Sequence, residues 1–257
     1  MRLLNLLFYI YDKVFNKMKV KIRLLLCIIA IVTIFISWKV NYNDQFVLYK
    51  ADLKKQDLKL YWKNEKNENF GAIQNLKTWL EKKDMILQFC MNGGMYKKDN
   101  SPQGLYIEKQ KVLSLLDTTK SNGNFYLKPN GVFYLTTKKT AAICTTEMFR
   151  NNGNIEYATQ SGPMLVIDGK IHPDFKKGSS NVNIRNGVGI LPDGKVVFVL
   201  SKTEINFYDF ASYLKSMGCK NALYLDGFVS RAYVPSENWM QTDGNFGVLI
   251  AVTEKKK

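Results

Sequence analysis

From Phe46 onwards, apolar residues come in short alternating runs broken by turn signals, the pattern of strands and hairpins. Phe46–Tyr49 and Leu58–Trp62 read as two early strands. Ile73, Leu76, Trp79 and Leu80 then fall at helical spacing within 70–84, and "MILQFC" (85–90) follows as a strand. Four hairpins are expected next: "GLYIEKQKVLSL", "FYLKPNGVFYLT", "MLVIDGKI" and "GVGILPDGKVVFVLS". Two carry Asp-Gly and one carries Pro-Asn-Gly, residues that tolerate the positive φ of tight turns. Asn206 is placed to cap a helix whose buried positions are Phe207, Phe210, Ala211, Leu214 and Met217, with Gly218 as its stop. "ALYL" and "FGVLIAVT" close the chain as strands. A helix, a strand and a glycine-bearing motif thus occur twice, with hairpins between them. The fold class expected is α+β, a large mixed, hairpin-rich β-sheet with packed helices.

The N-terminus follows another pattern. "MKVKIR" (18–23) precedes an apolar run, 24–38, interrupted by no charge before Lys39. A basic flank before an apolar stretch marks an export signal or signal-anchor. The run is short of the ~20 residues of a full span, and no small-x-small cleavage site follows it. The expected organisation is therefore 1–41 as cytoplasmic tail and signal-anchor, and 42–257 as one domain outside the cytoplasmic membrane, periplasmic or extracellular.

Composition changes this picture little. The 257 residues are 46% hydrophobic, enough for one substantial core, and the formal net charge is +15. Residues 1–40 hold +6 of it and Lys255–Lys257 another three. No basic helix or aromatic-basic alternation points to nucleic acid. The body cysteines, Cys90, Cys144 and Cys219, are widely spaced and form no CxxC, so buried free thiols are expected. No set of ligands has metal spacing, and P-loop and Rossmann fingerprints are absent. No cofactor is expected; a divalent cation is left open.

Five stretches carry candidate chemistry. In "MNGGMY", Asn92, Gly93 and Gly94 form either a tight turn or a backbone nest that a ligand can approach. In "ATQSGPML", Gln160, Ser161 and Gly162 lie at a bend. Arg185 in "NIRNGVGI" is a surface arginine or a bidentate partner for phosphate or carboxylate. Asp226, Gly227, Ser230 and Arg231 lie in "LYLDGFVSR", where a carboxylate at the end of a core strand is costly unless paired. His172, the one histidine, precedes Pro173 in a turn. A Ser161–His172–Asp226 triad lacks the G-x-S-x-G elbow around its serine and is set aside.

Taken in order, "MNGGMY", "PQGLYIEKQKV", "ATQSGPMLVIDGKI", "IRNGVGILPDGKVVFVLS" and "NFYDFASYLKSMGCKNALYLDGFVSR" resemble the phosphodiester glycosidase domain family (uncovering-enzyme-like), in the form of its bacterial branch. The resemblance covers roughly Phe70 to Val252. It implies a hydrolase that cleaves the glycosidic bond of a sugar-1-phosphodiester, in an envelope glycan, lipid or exopolysaccharide-related substrate. The alternative is a non-catalytic binding module for an anionic glycan. Under the resemblance, Asp226 is the carboxylate near the sugar ring. Arg185 holds phosphate, with the Gly93–Gly94 backbone and Arg231. Asn92, Gln103, Gln160, Ser161, Gly162, Gly227 and Ser230 line the substrate, and His172 serves as acid or base. One departure stands out: Phe228 and Val229 replace two glycines of the family's better-known "LDGGGS" form, which implies a pocket shaped for another substrate.

Overall fold

The structure, a computed structural model, describes residues 20, 22, 24–31, 44–226 and 229–256. The chain divides into units Met1–Gln45 and Phe46–Lys257. In the first, residues 24–31 are helical and exposed. No helix among the described residues is long and apolar enough to cross a membrane, and residues 32–38 of the expected anchor lie outside them.

The second unit is built of three principal sheets around one core. The first sheet has six strands in the order Phe46–Ala51, Val196–Ser201, Asn186–Ile190, Ala222–Tyr224, Met164–Ile167 and Lys170–Ile171. The second has five: Trp239–Met240, Ala232–Val234, Met85–Gly94, Val248–Lys255 and Asp57–Tyr61. The third, also of five, runs Lys111–Ser114, Tyr106–Glu108, Ile155–Ser161, Gly131–Thr136 and Ala141–Thr145. Inward residues of all three meet in the main core. Val188, Phe198 and Leu223 come from the first sheet, Phe89, Met91 and Ile250 from the second, and Tyr106, Phe133 and Leu135 from the third.

The α+β class is as expected, but the single mixed sheet is not. Every strand pair among the described residues is antiparallel. Consecutive strands joined by tight turns can only pair that way. Three of the four expected hairpins form. Lys109–Gln110 and Asp168–Gly169 turn with positive φ at both residues, and Gly194 with φ 83°. The fourth does not: Asn124–Tyr126 is a short 3-10 turn, and Gly131–Thr136 pairs forward with Ala141–Thr145.

Two helices cover outer faces. Helix Ile73–Glu81 buries Ile73, Leu76 and Leu80 against Leu87, Cys90, Leu249 and Ala251 of the second sheet. Helix Phe207–Ser216 begins at Asn206, whose side chain accepts the Asp209 N–H at 2.9 Å, and Gly218 (φ 86°) follows its end. It packs on the first sheet, where a Cβ on Gly187 would come within 3.1 Å of Phe210 and one on Gly189 within 2.6 Å of Cys219 Sγ. Cys90 and Cys219 are buried free thiols; Cys144 is a free, half-buried one.

"MNGG" is not a turn. Strand Met85–Gly94 runs straight through it, and neither glycine has positive φ. The reason is space. A Cβ on Gly93 would lie 2.7 Å from Ile250 Cγ1, and one on Gly94 2.6 Å from Thr159 Oγ1 of the third sheet. Gly93 is also the extra residue of a bulge, since Leu249 opposes Asn92 and Val248 opposes Gly94. Gly94→Val should therefore force the second and third sheets apart and cost about 1–3 kcal/mol, measured by urea unfolding.

Candidate active site

The segment from Leu225 to Arg231 leaves the first sheet after Tyr224 and enters the second at Ala232. Both of its ends are held by a pair of buried asparagine side chains, one from each sheet. Asn186 donates from Nδ2 to Asn92 Oδ1 at 2.9 Å and to the Asn92 carbonyl at 3.1 Å. Asn186 Oδ1 accepts the Asp226 N–H at 2.9 Å, and Asn92 Oδ1 accepts the Arg231 N–H at 3.0 Å. The Asn186 carbonyl accepts the Leu225 N–H. Ser230 closes the turn by donating its hydroxyl to the Asp226 carbonyl at 2.6 Å, and Ser161 donates to the Leu225 carbonyl at 2.5 Å. An amide carries donor and acceptor on one rigid plane, so two amides can link two strands and still hold both ends of a loop. The carboxylate of Asp226 is thereby carried on a pinned segment, half-buried.

One donor of this network is unspent. Asn92 Nδ2 is buried with no partner among the described residues. Such a donor costs about 1–3 kcal/mol unless a ligand supplies an acceptor. Tyr96 lies near enough for Asp226 to act on it: burial first, and the Asp226 charge second, push its hydroxyl pKa up.

Arg185 is buried completely, and its pKa is lowered by that burial. Nε donates to the Ile205 carbonyl at 2.7 Å, and Nη2 to the Asn181 carbonyl and Oδ1 at 2.8 and 3.1 Å. Nη1 donates to Tyr224 Oη at 3.2 Å. The guanidinium lies 3.6 Å over the Phe207 ring, and no carboxylate ion-pairs with it among the described residues. Four of its five N–H groups are thus committed inside the protein, where a surface arginine or an open phosphate fork was expected.

His172 does not fit the role of acid or base. Nδ1 accepts the Asp174 N–H at 3.2 Å, which leaves Nε2 to donate to the Lys128 carbonyl at 3.0 Å. Its ring stacks on Phe175 at 4.7 Å and Phe175 on Phe207 at 4.8 Å, so two aromatic rings separate it from Arg185. Burial holds its pKa low.

The other expected residues are placed as follows. Gln160 is spent: Oε1 accepts from Leu105 and Asp117 N–H, and Nε2 donates to the Asp117 carbonyl and Thr146. Gln103 donates to Tyr126 Oη at 2.9 Å and to the Asp117 carboxylate at 3.2 Å. Gly162 precedes a cis proline and packs 2.6 Å from Asn130 Cβ by its own virtual Cβ. The Arg231 guanidinium sits on Asp243 at 3.0 Å, near solvent. Gly227 and Phe228 lie outside the described residues. Asn92, Ser161, Asp226, Ser230 and the Arg231 backbone therefore come together. Gln103 and Gln160 form a second cluster around Asp117, and His172 belongs to neither. Asn186 was missed, although its signal was present: an uncharged polar residue at the head of the apolar strand "NGVGI". Asp117 was missed too, hidden in the polar run "LDTTKSNGN".

The described residues thus bring together a carboxylate on a loop pinned between two sheets and one buried amide donor that has no partner among them. The profile of the family described as phosphodiester glycosidase matches residues 87–252, well over half of the chain, and the protein belongs to that family. It is 37% identical over 187 residues to the uncharacterized protein YigE of Escherichia coli (strain K12), covering 72% of this chain and 73% of that one. Its fold is similar to that of the catalytic domain of zebrafish N-acetylglucosamine-1-phosphodiester alpha-N-acetylglucosaminidase, solved in a form auto-inhibited by its pro-peptide. There the TM-score is 0.57 at 12% identity, over 82% of this chain and 83% of that one. A hypothetical protein from Synechocystis matches with a TM-score of 0.52 at 12% identity, over 82% of this chain and 59% of that one.

Two outcomes are expected from this geometry. Asn186→Ala strands buried groups on Asn92 and Asp226 and should cost about 2–4 kcal/mol, read by denaturant unfolding. For His172, the unfolded state takes up its proton near pH 6.5 and the folded state only at lower pH. The stabilisation is therefore complete above about pH 6.5 and declines as pH falls through the folded pKa. The stability gap between wild type and His172→Asn should be constant above neutrality and narrow in acid, as followed by thermal unfolding across pH.

Proposed function

We propose that the protein is a hydrolase of sugar-1-phosphodiesters, adding water across the bond between the anomeric carbon and the phosphate oxygen to give free sugar and a phosphate monoester. Membership of the phosphodiester glycosidase family supports the reaction class. The observation that carries the reading to particular residues is the asparagine clamp, which fixes Asp226 at both ends of its loop and leaves Asn92 Nδ2 as a buried donor with no partner among the described residues.

In this mechanism the ring gains positive charge as the phosphate leaves. Phosphate is a good leaving group, so the demand for a second, proton-donating carboxylate is lower than in ordinary glycosidases. Asp226 faces the ring as nucleophile, base or stabiliser of the cationic ring. Asn92 Nδ2 donates to a sugar or phosphate oxygen. The basic N-terminal flank and apolar run support an anchored protein whose domain lies outside the cytoplasmic membrane. That location in turn suggests a substrate in an envelope glycan, lipid or exopolysaccharide.

The absence of a second carboxylate hydrogen-bonded into the clamp, among the described residues, favours one other reading, a binding module for an anionic glycan. A panel of sugar-1-phosphodiesters separates the two. Hydrolysis is expected, with release of free sugar, and Asp226→Asn should lower kcat by about 10³-fold or more. Binding without turnover on the whole panel, unchanged in Asp226→Asn, would replace the hydrolase with the binding module.

A further inference from the structure

The buried guanidinium of Arg185 has nowhere to present a fork to a ligand, yet it carries a positive charge with no carboxylate against it among the described residues. Among the described residues Tyr224 links it toward Asp226, whose charge acts on the Tyr224 hydroxyl. Tyr224 Oη accepts an Arg185 N–H at 3.2 Å. With a lone pair committed to the cation, the hydroxyl must send its own proton elsewhere, and it donates no hydrogen bond among the described residues. The ring is fixed: it is buried, its face or edge meets Phe207 at 4.8 Å and 76°, and its backbone N–H is held by the Pro163 carbonyl at 3.1 Å. Asp226 lies two residues further along the chain.

We propose that Tyr224, rather than Arg185, makes the direct contact with the anionic group of the ligand: its hydroxyl, polarised from behind by Arg185, donates a hydrogen bond to a phosphate oxygen held beside Asp226. The inference rests on the sugar-phosphodiester reading for the identity of the ligand and on the geometry alone for the residue. A hydroxyl that accepts from a cation is a stronger donor, because hydrogen bonds in series polarise one another. Burial pushes the Tyr224 pKa up to about 12, so the proton stays on the oxygen throughout the working range of an enzyme. Asn92 Nδ2, a buried donor with no partner among the described residues, belongs to the amide whose Oδ1 holds the Arg231 end of the same segment. Two donors, one on the strand that leads into the Asp226 segment and one on the amide that holds its far end, suit a ligand with several acceptor oxygens and one electrophilic carbon.

The probe is inorganic phosphate, titrated into the full-length chain by calorimetry, beside turnover of the diester panel. Tyr224→Phe keeps the ring and removes only the hydroxyl; its thermal unfolding reports that the fold is intact. Phosphate should bind the wild type and bind Tyr224→Phe about 10-fold more weakly, with a comparable fall in kcat/KM wherever turnover occurs. Arg185→Lys, which keeps charge but loses the planar fork, should weaken phosphate binding in the same direction. If Tyr224→Phe binds phosphate within two-fold of the wild type, or the wild type does not bind phosphate at all, the assignment of Tyr224 is wrong. Tyr224-dependent phosphate binding without cleavage of any diester would leave the assignment standing and overturn the hydrolase.

Discussion

The hydrogen bond between the side chains of Asn186 and Asn92 is the constraint on which the site depends. It joins the first sheet to the second at the point where the chain crosses between them. Each amide has a second duty: one receives the N–H of Asp226, the other the N–H of Arg231. The crossing loop is thus held by the same two groups that hold the sheets in register. Such a network is worth most when fully buried, because each partner left alone would carry its own desolvation cost. It also explains why the strand around Asn92 bulges at Gly93. The bulge re-aims the asparagine while the two glycines leave room for Ile250 and Thr159.

Around this clamp the molecule keeps two kinds of polar group. Gln160, His172 and the outer arm of Arg231 are satisfied by the protein itself. Asn92 Nδ2 and the Tyr224 hydroxyl proton are not, among the described residues. The proposed function rests on the second kind at Asn92 and Tyr224, since the first kind is already hydrogen-bonded within the protein. Arg185 stands between the two kinds. It caps a column of rings running from His172 through Phe175 and Phe207, and it donates to the Tyr224 hydroxyl. Burial of the cation is tolerated because carbonyls and an aromatic face replace much of its hydration.

Much of the fold was legible from periodicity and turn chemistry. The helix capped by Asn206 and stopped by Gly218 could be read directly, because caps are local. The three hairpins with positive-φ turns could be read for the same reason. At "MNGG" the tight-turn alternative fails, because a glycine needed for close packing between sheets looks the same in sequence as one needed for positive φ. The hairpin expected around Pro129-Asn130-Gly131 failed because its first half folds as a 3-10 turn. In the site, Asp226 and Asn92 were legible as polar residues in apolar settings. Asn186 was not, because the arginine beside it drew the chemistry. Tyr224 was not either, because a tyrosine in "ALYL" reads as an ordinary core residue until its hydroxyl is seen on a guanidinium.

The central claim is that the two asparagines hold both ends of the loop bearing Asp226, and amide hydrogen exchange tests it at the two N–H groups concerned. The account predicts that the amides of Asp226 and Arg231 in the wild-type protein exchange as slowly as those of the flanking strands, opening only with the fold. Exchange of either amide at the rate of an exposed loop would contradict it.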